Sequence, residues 1–160
     1  MTSLLPFFEW CETTRLGAAI RDSLWLFPVI EAVHLVAFAV LGGAVLLVNL
    51  RLLGLAFRSQ PVARLAQDAA PWLGGSLAVA LVSGSLLFLS ESVKLYHSEP
   101  FRLKIASLVL ALLFTFSAHR KVTLADEAHA RPFAGRLAAV VSLALWAGVA
   151  WGGRWIGFSG

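Results

Sequence analysis

Residues 23–53 read SLWLFPVIEAVHLVAFAVLGGAVLLVNLRLL, and this stretch decides the class of fold. Its apolar run is long enough for a membrane helix, because about 20 apolar residues cross the hydrocarbon core of a bilayer. The same run carries Glu31, His34, Asn49 and Arg51. Ionisable groups at membrane depth are costly, and they mark candidate functional sites. We therefore expect a membrane helix that holds the functional side chains of the chain.

The composition of the whole chain also indicates a membrane protein. Of its 160 residues, 59% are hydrophobic and 14% are charged, and its mean hydropathy is +0.80. A soluble domain has about 25% charged residues. The net charge of +4 is dispersed between apolar runs, whereas nucleic-acid binding requires a clustered basic face. The expected surroundings are a lipid bilayer, and no nucleic-acid partner is expected.

The hydrophobic pattern predicts an all-α fold, an integral membrane four-helix bundle preceded by a short amphipathic interfacial helix. We expect one membrane domain over residues 1–160. The interfacial helix covers about 3–22, and the four spans cover about 24–53, 72–93, 101–119 and 135–156.

Small and polar residues recur at helical spacing in the later spans. Small residues at every fourth position let membrane helices approach closely, and such stripes run through the second span (Ser76, Ala80, Gly84) and the fourth (Ala144, Gly148, Gly152). In the third span one face carries Lys104, Ser107, Ala111, Thr115 and His119. We expect these faces to point into the bundle.

Four spans place both termini on one side of the membrane. The loops that join the first span to the second and the third span to the fourth lie on the other side, and that side holds seven basic residues. The side of the termini holds six. The positive-inside rule places the more basic side in the cytoplasm. We therefore expect a multi-pass protein of the bacterial inner (cytoplasmic) membrane with both termini in the periplasm.

The polar residues of the first span are expected to share a face. Glu31 and Asn49 are eighteen residues apart, which is about five turns, and His34 lies about 60° away from both. The three side chains should therefore point into the bundle together. Glu31 and His34 would lie roughly 7 Å and 12 Å below the outer surface, at about 1.5 Å per residue.

An outer site built on Glu31 and His34 suggests two kinds of cofactor. Imidazole and carboxylate ligands suit copper or another transition metal, and the candidate ligands for such an ion are Glu31, His34, Glu91 and His97. The other cofactor is haem b, with His34 as its single axial ligand. Its propionates would then meet basic residues on the same side, which are Arg102, Lys104 and Arg154.

A haem shared by His34 and His119 is disfavoured, because the two residues differ in depth by on the order of 18 Å. His119 and His129 are expected at the interface and in a loop. A structural alternative for Glu31 is an ion pair with Lys104 or Arg154 that fastens two helices. No nucleophile motif or phosphate-binding loop is present, so hydrolytic chemistry is not supported, and whether the protein is an enzyme stays open.

Four segments carry a resemblance to a known family: RDSLWLFPVIEAVHL, LVNLRLLGLAF, PFRLKIASL and SLALWAGVAWGGRWIGF. They resemble a bacterial family of four-span inner-membrane proteins that is known as a domain of unknown function. In layout, the chain is more distantly similar to the membrane domains of copper-resistance protein D and to cytochrome b561-like bundles. Those relatives imply copper handling or electron transfer through haem.

These observations favour a membrane protein with an outward-facing site that binds copper or haem, for redox or metal handling with a periplasmic partner. Two alternatives stay open at this point. One is a cofactor-free membrane anchor or assembly subunit of a larger complex. The other is a proton or solute pathway along Glu31, His34 and Asn49, for which we expect a homo-oligomer.

Overall fold

The computed structural model describes residues 4–123 and 132–157, and these residues are largely helical. In chain order the helices are α1 (Leu5–Glu12), α2 (Arg15–Asp22), α3 (Leu26–Leu53), α4 (Val62–Ser90), α5 (Ser92–His97), α6 (Glu99–Phe114), a π-helix (Thr115–His119), α7 (Arg120–Thr123) and α8 (Pro132–Ile156). Four helical stretches are long and apolar enough to cross a membrane, namely Leu26–Leu53, Val62–Ser90, Glu99–His119 and Phe133–Ile156. The predicted all-α fold with four spans is confirmed.

We call the end of the bundle where α3 begins and α8 ends the terminal end, and the opposite end the loop end. The core between them is made by all four spanning helices. It consists of Leu41 and Val45 from α3, Leu77 from α4, Ala111 from α6, and Trp146 and Val149 from α8. The centre of the bundle is thus packed mainly with apolar side chains.

The small-residue stripes bring helices together as predicted. A Cβ added at Gly148 would lie 2.8 Å from Ser107 Oγ, and one at Gly152 would lie 3.0 Å from the carbonyl oxygen of Pro100. These distances are shorter than ordinary van der Waals contacts, so only glycine allows α8 to approach α6 this closely. On α4, Ser76 and Ala80 of the other stripe are buried.

The second span begins earlier than predicted. α4 starts at Val62 rather than near residue 72, and Pro71 lies inside the helix. We expected Pro71 to end the preceding loop, but proline is tolerated within membrane helices when neighbouring groups satisfy the freed carbonyl. Ser76 and its neighbours therefore lie in the middle of a helix of 29 residues.

The N-terminal segment forms two helices rather than the single interfacial helix that we predicted. Thr14 caps α2 by accepting a hydrogen bond from Gly17 N at 3.2 Å, as side-chain oxygens do at helix starts. A Cβ at Gly17 would lie 2.5 Å from the carbonyl oxygen of Leu89, so α2 abuts the end of α4. Glu12 Oε2 also accepts a hydrogen bond from Val93 N at 2.8 Å. Together α1 and α2 form a cap on the terminal end of the bundle.

Candidate functional site

His34 is buried in the terminal half of the bundle, between α3 and α4. Its Nδ1 lies 2.9 Å from Ser83 Oγ, and the Ser83 hydroxyl donates to the carbonyl oxygen of Val79 at 2.6 Å. Because that hydroxyl has a single proton, it accepts the hydrogen bond from His34 Nδ1–H. In the neutral imidazole, Nε2 then carries the lone pair, which is the form that ligates metals.

The small-residue stripe of α4 makes the space for this imidazole. A Cβ added at Gly84 would lie 3.1 Å from His34 Cε1, so any larger residue would displace the ring. The phenyl ring of Phe38 lies one turn further along α3, with its centroid 5.3 Å from that of His34. The ring of His34 is thus held by Ser83, Gly84 and Phe38.

Lys104 of α6 reaches the same place from the opposite side of the bundle. Its stem passes over Gly153 of α8, where an added Cβ would lie 3.6 Å from both Cε and Nζ. Its Nζ then lies 5.6 Å from the centroid of the Phe38 ring, a cation–π distance. Among the described residues, no carboxylate forms a salt bridge with Lys104. Phe38 is therefore in contact with both the imidazole and the ammonium group.

All four spanning helices contribute to this place, which we call the His34–Lys104 site. Its members are His34, Phe38, Ser83, Gly84, Lys104 and Gly153. The sequence placed His34 and Lys104 on inward faces, and the structure brings them onto the same aromatic ring. Ser83 was missed, because one serine among several in an apolar span gives no distinguishing signal.

Glu31 does not face the interior as we predicted. It is exposed, and among the described residues no salt bridge joins it to Lys104. Asn49, about five turns further along α3, is fully buried, whereas Glu31 lies near the start of the helix, which begins at Leu26. The expectation that Glu31 and His34 form one inward-facing pair is therefore wrong.

The other predicted ligands lie apart from His34. Glu91 forms a salt bridge with Lys94 at 3.7 Å, and His97 is exposed. Arg102 is also exposed and donates to the carbonyl oxygen of Tyr96 at 3.1 Å, while Arg154 is exposed near the end of α8. Within residues 4–123 and 132–157, no three His, Cys, Asp or Glu side chains group closely enough to hold a metal ion. Metal binding by this set stays a prediction.

A second polar cluster lies in the loop half, around the fully buried Asn49. Its Nδ2 donates to the carbonyl oxygen of Val45 at 2.8 Å and to Ser142 Oγ of α8 at 3.1 Å. Its Oδ1 lies 3.0 Å from His119 Nε2. Because a carbonyl oxygen can only accept, the bond to Val45 fixes which end of the amide faces His119, and His119 Nε2–H is the donor.

The π-helix accounts for the position of His119. We expected an interfacial histidine, but His119 is the last residue of the π-helix and is buried. The wider turn of a π-helix, with its i→i+5 hydrogen bonds, shifts the following side chains around the axis. Thr115, at the other end of the π-helix, accepts a hydrogen bond from Trp146 Nε1 at 3.3 Å. His129 lies outside the described residues.

The two polar clusters are separated along α3. Since His119 is bonded to Asn49, it lies fifteen residues from the level of His34, which is about 22 Å along the helix axis. Leu41 and Val45 of the apolar core fill the interval. The difference in depth that disfavours a haem shared by His34 and His119 is thus present in the structure.

One comparison with known proteins identifies the family. A model of a family of unknown function matches residues 7–159, which is nearly the whole chain. The chain belongs to DUF6644. The predicted resemblance to a four-span family of unknown function is thereby confirmed. No curated protein and no solved structure matches the chain, so the wider resemblance to copper-resistance protein D and cytochrome b561-like bundles stays a prediction.

This member of DUF6644 also has an apolar groove between α3 and α4, on the outside of the bundle. Its volume is about 830 Å³, and its walls include Val33, Val36, Trp72 and Val79. A smaller pocket of about 360 Å³ shares Val33 and Val79 with it and reaches Leu86. The lining is almost wholly apolar, as expected for a surface that faces lipid chains, and the groove carries none of the titratable residues named above.

Proposed function

We propose that this member of DUF6644 binds a lipophilic ligand that carries an oxyanion, at the His34–Lys104 site. Lys104 would pair with the carboxylate or phosphate of the ligand, while His34 and Phe38 contact the adjoining part. The observation that carries the proposal is the Lys104 ammonium group, which lies on the Phe38 ring without a salt bridge to any described residue.

The reason is the cost of an unpaired charge in a membrane. A lysine in the centre of a spanning helix costs about 3 kcal/mol in insertion experiments. Lys104 is the sixth residue of the span Glu99–His119, so its cost is smaller, and it falls further when the charge has a counter-ion. Elsewhere in the bundle polar groups are satisfied, because among the described residues only Ser92 Oγ is a buried side-chain atom without a hydrogen-bond partner. A ligand oxyanion would give Lys104 the partner that the protein itself does not provide.

Haem b is one ligand of this kind, and a specific observation favours it. With Nδ1–H donated to Ser83, the neutral His34 has its lone pair on Nε2, and a hydrogen bond to the other nitrogen typically orients a ligating imidazole. A propionate would then pair with Lys104. A phospholipid, whose phosphate would pair with Lys104, is the other ligand of the same chemistry. A bare copper ion has less support, because the nearby Lys104 is itself cationic.

The location and partners belong to the same proposal. An even number of spans and the small excess of basic residues at the loop end support a bacterial inner membrane with both termini in the periplasm. The His34–Lys104 site would then lie in the periplasmic half of the membrane. A periplasmic protein that exchanges electrons or ligand with the site, or a second copy of the chain, would meet it from that side.

The test compares two charge-removing variants of one helix. Lys104→Met removes the proposed anchor, and Arg102→Met is its matched control, because Arg102 is exposed and two residues away. A charge-assisted hydrogen bond contributes about 1.5–3 kcal/mol, so Lys104→Met should weaken binding by about 10- to 150-fold. Arg102→Met should leave the affinity unchanged.

Two measurements distinguish the ligands. Purified protein in detergent is titrated with haem b, followed by the Soret absorption, and with phosphatidylglycerol, followed by native mass spectrometry. His34→Ala should abolish only the Soret shift, whereas Lys104→Met should weaken both. Equal affinities of the wild type and Lys104→Met for both ligands would refute the proposal and favour the cofactor-free anchor or assembly subunit.

A further inference from the structure

Four aromatic rings form a layer at the terminal end of the bundle. Phe88 of α4 stacks on Phe101 of α6, with the ring centroids 5.8 Å apart and the ring planes at 17° to each other. Phe8 of α1 packs its ring against Phe88, with the centroids 5.4 Å apart, and against Tyr96 of α5, with the centroids 5.0 Å apart. We call these four rings the aromatic layer. It joins α1 to three helices of the bundle.

The stacked pair of this layer lies next to the residues that hold His34 and Lys104. Phe88 follows Gly84 by four residues, and the His34 ring packs against Gly84. Phe101 precedes Lys104 by three residues. Residues three or four apart are neighbours on one face of a helix, so both rings lie one turn nearer to the terminal end than the site. A molecule that comes from the water at this end meets the aromatic layer first.

α1 depends on its contacts with the bundle for its position. It has eight residues, and helices shorter than about 12 residues are marginal on their own. Besides Phe8, its Glu12 makes such contacts, because Oε2 accepts a hydrogen bond from Val93 N at 2.8 Å and Oε1 accepts one from Arg21 Nη1 at 3.1 Å. The other side of α1 is open, with Trp10 64% exposed. Loss of the contacts of Phe8 or Glu12 should therefore let α1 lift.

We propose that α1 is a movable lid that gates the aqueous route to the His34–Lys104 site, an inference that rests on the proposed function of that site. When Phe8 leaves its place, the Phe88 ring is free to rotate away from Phe101, and water-soluble molecules reach the site. When the lid is closed, water is kept from Lys104. An ion pair is stronger where water is excluded, so the closed lid holds a bound oxyanion more tightly.

The test measures how fast Lys104 is acetylated by sulfosuccinimidyl acetate, a charged water-soluble reagent, in the full chain in lipid nanodiscs. Mass spectrometry distinguishes this lysine from Lys121, which is exposed at the loop end and serves as the internal control. Phe8→Ala should accelerate the acetylation of Lys104 at least about five-fold, as expected from the loss of two aromatic ring pairs. Trp10→Ala removes an exposed ring of the same helix and should leave the rate unchanged.

Cys11 of α1 provides a second reporter, because it is buried and maleimide labels it when the helix lifts. If Phe8→Ala exposes Cys11 while Lys104 reacts as slowly as in the wild type, α1 moves without gating the site, and the lid is refuted. Unchanged rates at both residues would refute it as well. Glu12→Gln keeps the size of the side chain and weakens its charge-assisted hydrogen bonds. It should accelerate both reactions, and it tests the lid if Phe8→Ala does not fold.

The labelling uses no ligand, so its outcome is independent of the test of the proposed function. If the wild type and Lys104→Met bind haem b and phosphatidylglycerol equally, the oxyanion site is wrong, and the labelling rates still decide whether α1 covers Lys104. If Lys104→Met loses both ligands but Phe8→Ala leaves the acetylation of Lys104 unchanged, the site stands and the lid is wrong.

Discussion

Replacing Asn49 by leucine tests the polar cluster of the loop half. Leucine branches at the same carbon as asparagine, so the change removes hydrogen bonds with little change of shape. Asn49 makes two hydrogen bonds to other elements, one with His119 and one with Ser142. Such interhelical bonds average about 0.6 kcal/mol each in membrane proteins, which gives about 1.2 kcal/mol for the pair.

The larger loss of stability comes from His119, which loses its hydrogen-bond partner when Asn49 is replaced. His119 is buried, and a buried donor without a partner costs about 1–3 kcal/mol. The single variant Asn49→Leu should therefore lower the free energy of unfolding by about 2–4 kcal/mol. The double variant Asn49→Leu with His119→Phe removes the orphaned donor, and it should be more stable than Asn49→Leu alone by at least about 1 kcal/mol.

The assay is reversible unfolding in mixed micelles with increasing sodium dodecyl sulfate, followed by circular dichroism. The wild type, the two single variants and the double variant form a complete cycle. If the two single effects add to within about 0.3 kcal/mol, His119 does not depend on Asn49, and the reasoning from this hydrogen bond is refuted.

Three further changes test close contacts at glycines. Gly84→Leu should displace the His34 ring, because even a Cβ lies 3.1 Å from it; ligand affinity at the His34–Lys104 site should fall at least about ten-fold, and unchanged affinity would contradict this. Gly148→Ala should lower the midpoint of detergent unfolding, since its Cβ would lie 2.8 Å from Ser107 Oγ, and an unchanged midpoint would show that the helices can separate freely. Gly17→Ala should detach the cap from α4, and maleimide should then label the buried Cys11 faster than in the wild type.

The labelling experiment has a control within the same chain. Cys11 is the only cysteine of the sequence, so no other thiol contributes to the signal. Ala18→Gly changes the same helix without placing a new atom against Leu89, and it should leave the labelling rate near that of the wild type. Equal rates in Gly17→Ala and Ala18→Gly would contradict the contact between α2 and α4.

The sequence predicted the spans and their inward faces well, because both depend on local spacing. The stripe from Lys104 to His119 contacts the interior through Lys104, Ser107 and Ala111, as the three- and four-residue spacing indicated. Local spacing does not show which neighbouring helix, if any, covers a given face of a span. Glu31 was predicted to face the interior and is exposed, although Asn49, about five turns further along the same face, is fully buried.

Two other features depended on departures from regular rules. Pro71 lies within α4 and does not end a loop, because membrane helices tolerate proline. In the sequence alone, the same proline indicates the end of a loop. The π-helix at Thr115–His119 has no sequence signature in a single chain, and so the burial of His119 beside Asn49 could not be predicted. In both cases the local structure depends on how the neighbouring helices pack, which the spacing of residues in one sequence does not show.

The π-helix also has a consequence for how this family can change over time. A π-turn contains one residue more than the α-turn it replaces, so deleting a single residue from 115–119 can restore a regular α-helix instead of breaking the span. Because the π-turn accommodates the extra residue, the helix after the deletion would keep nearly its present direction, and His119 would stay on the side of Asn49. A relative could thus lose the π-helix in one genetic step while both the loop-half cluster and the His34–Lys104 site keep their register.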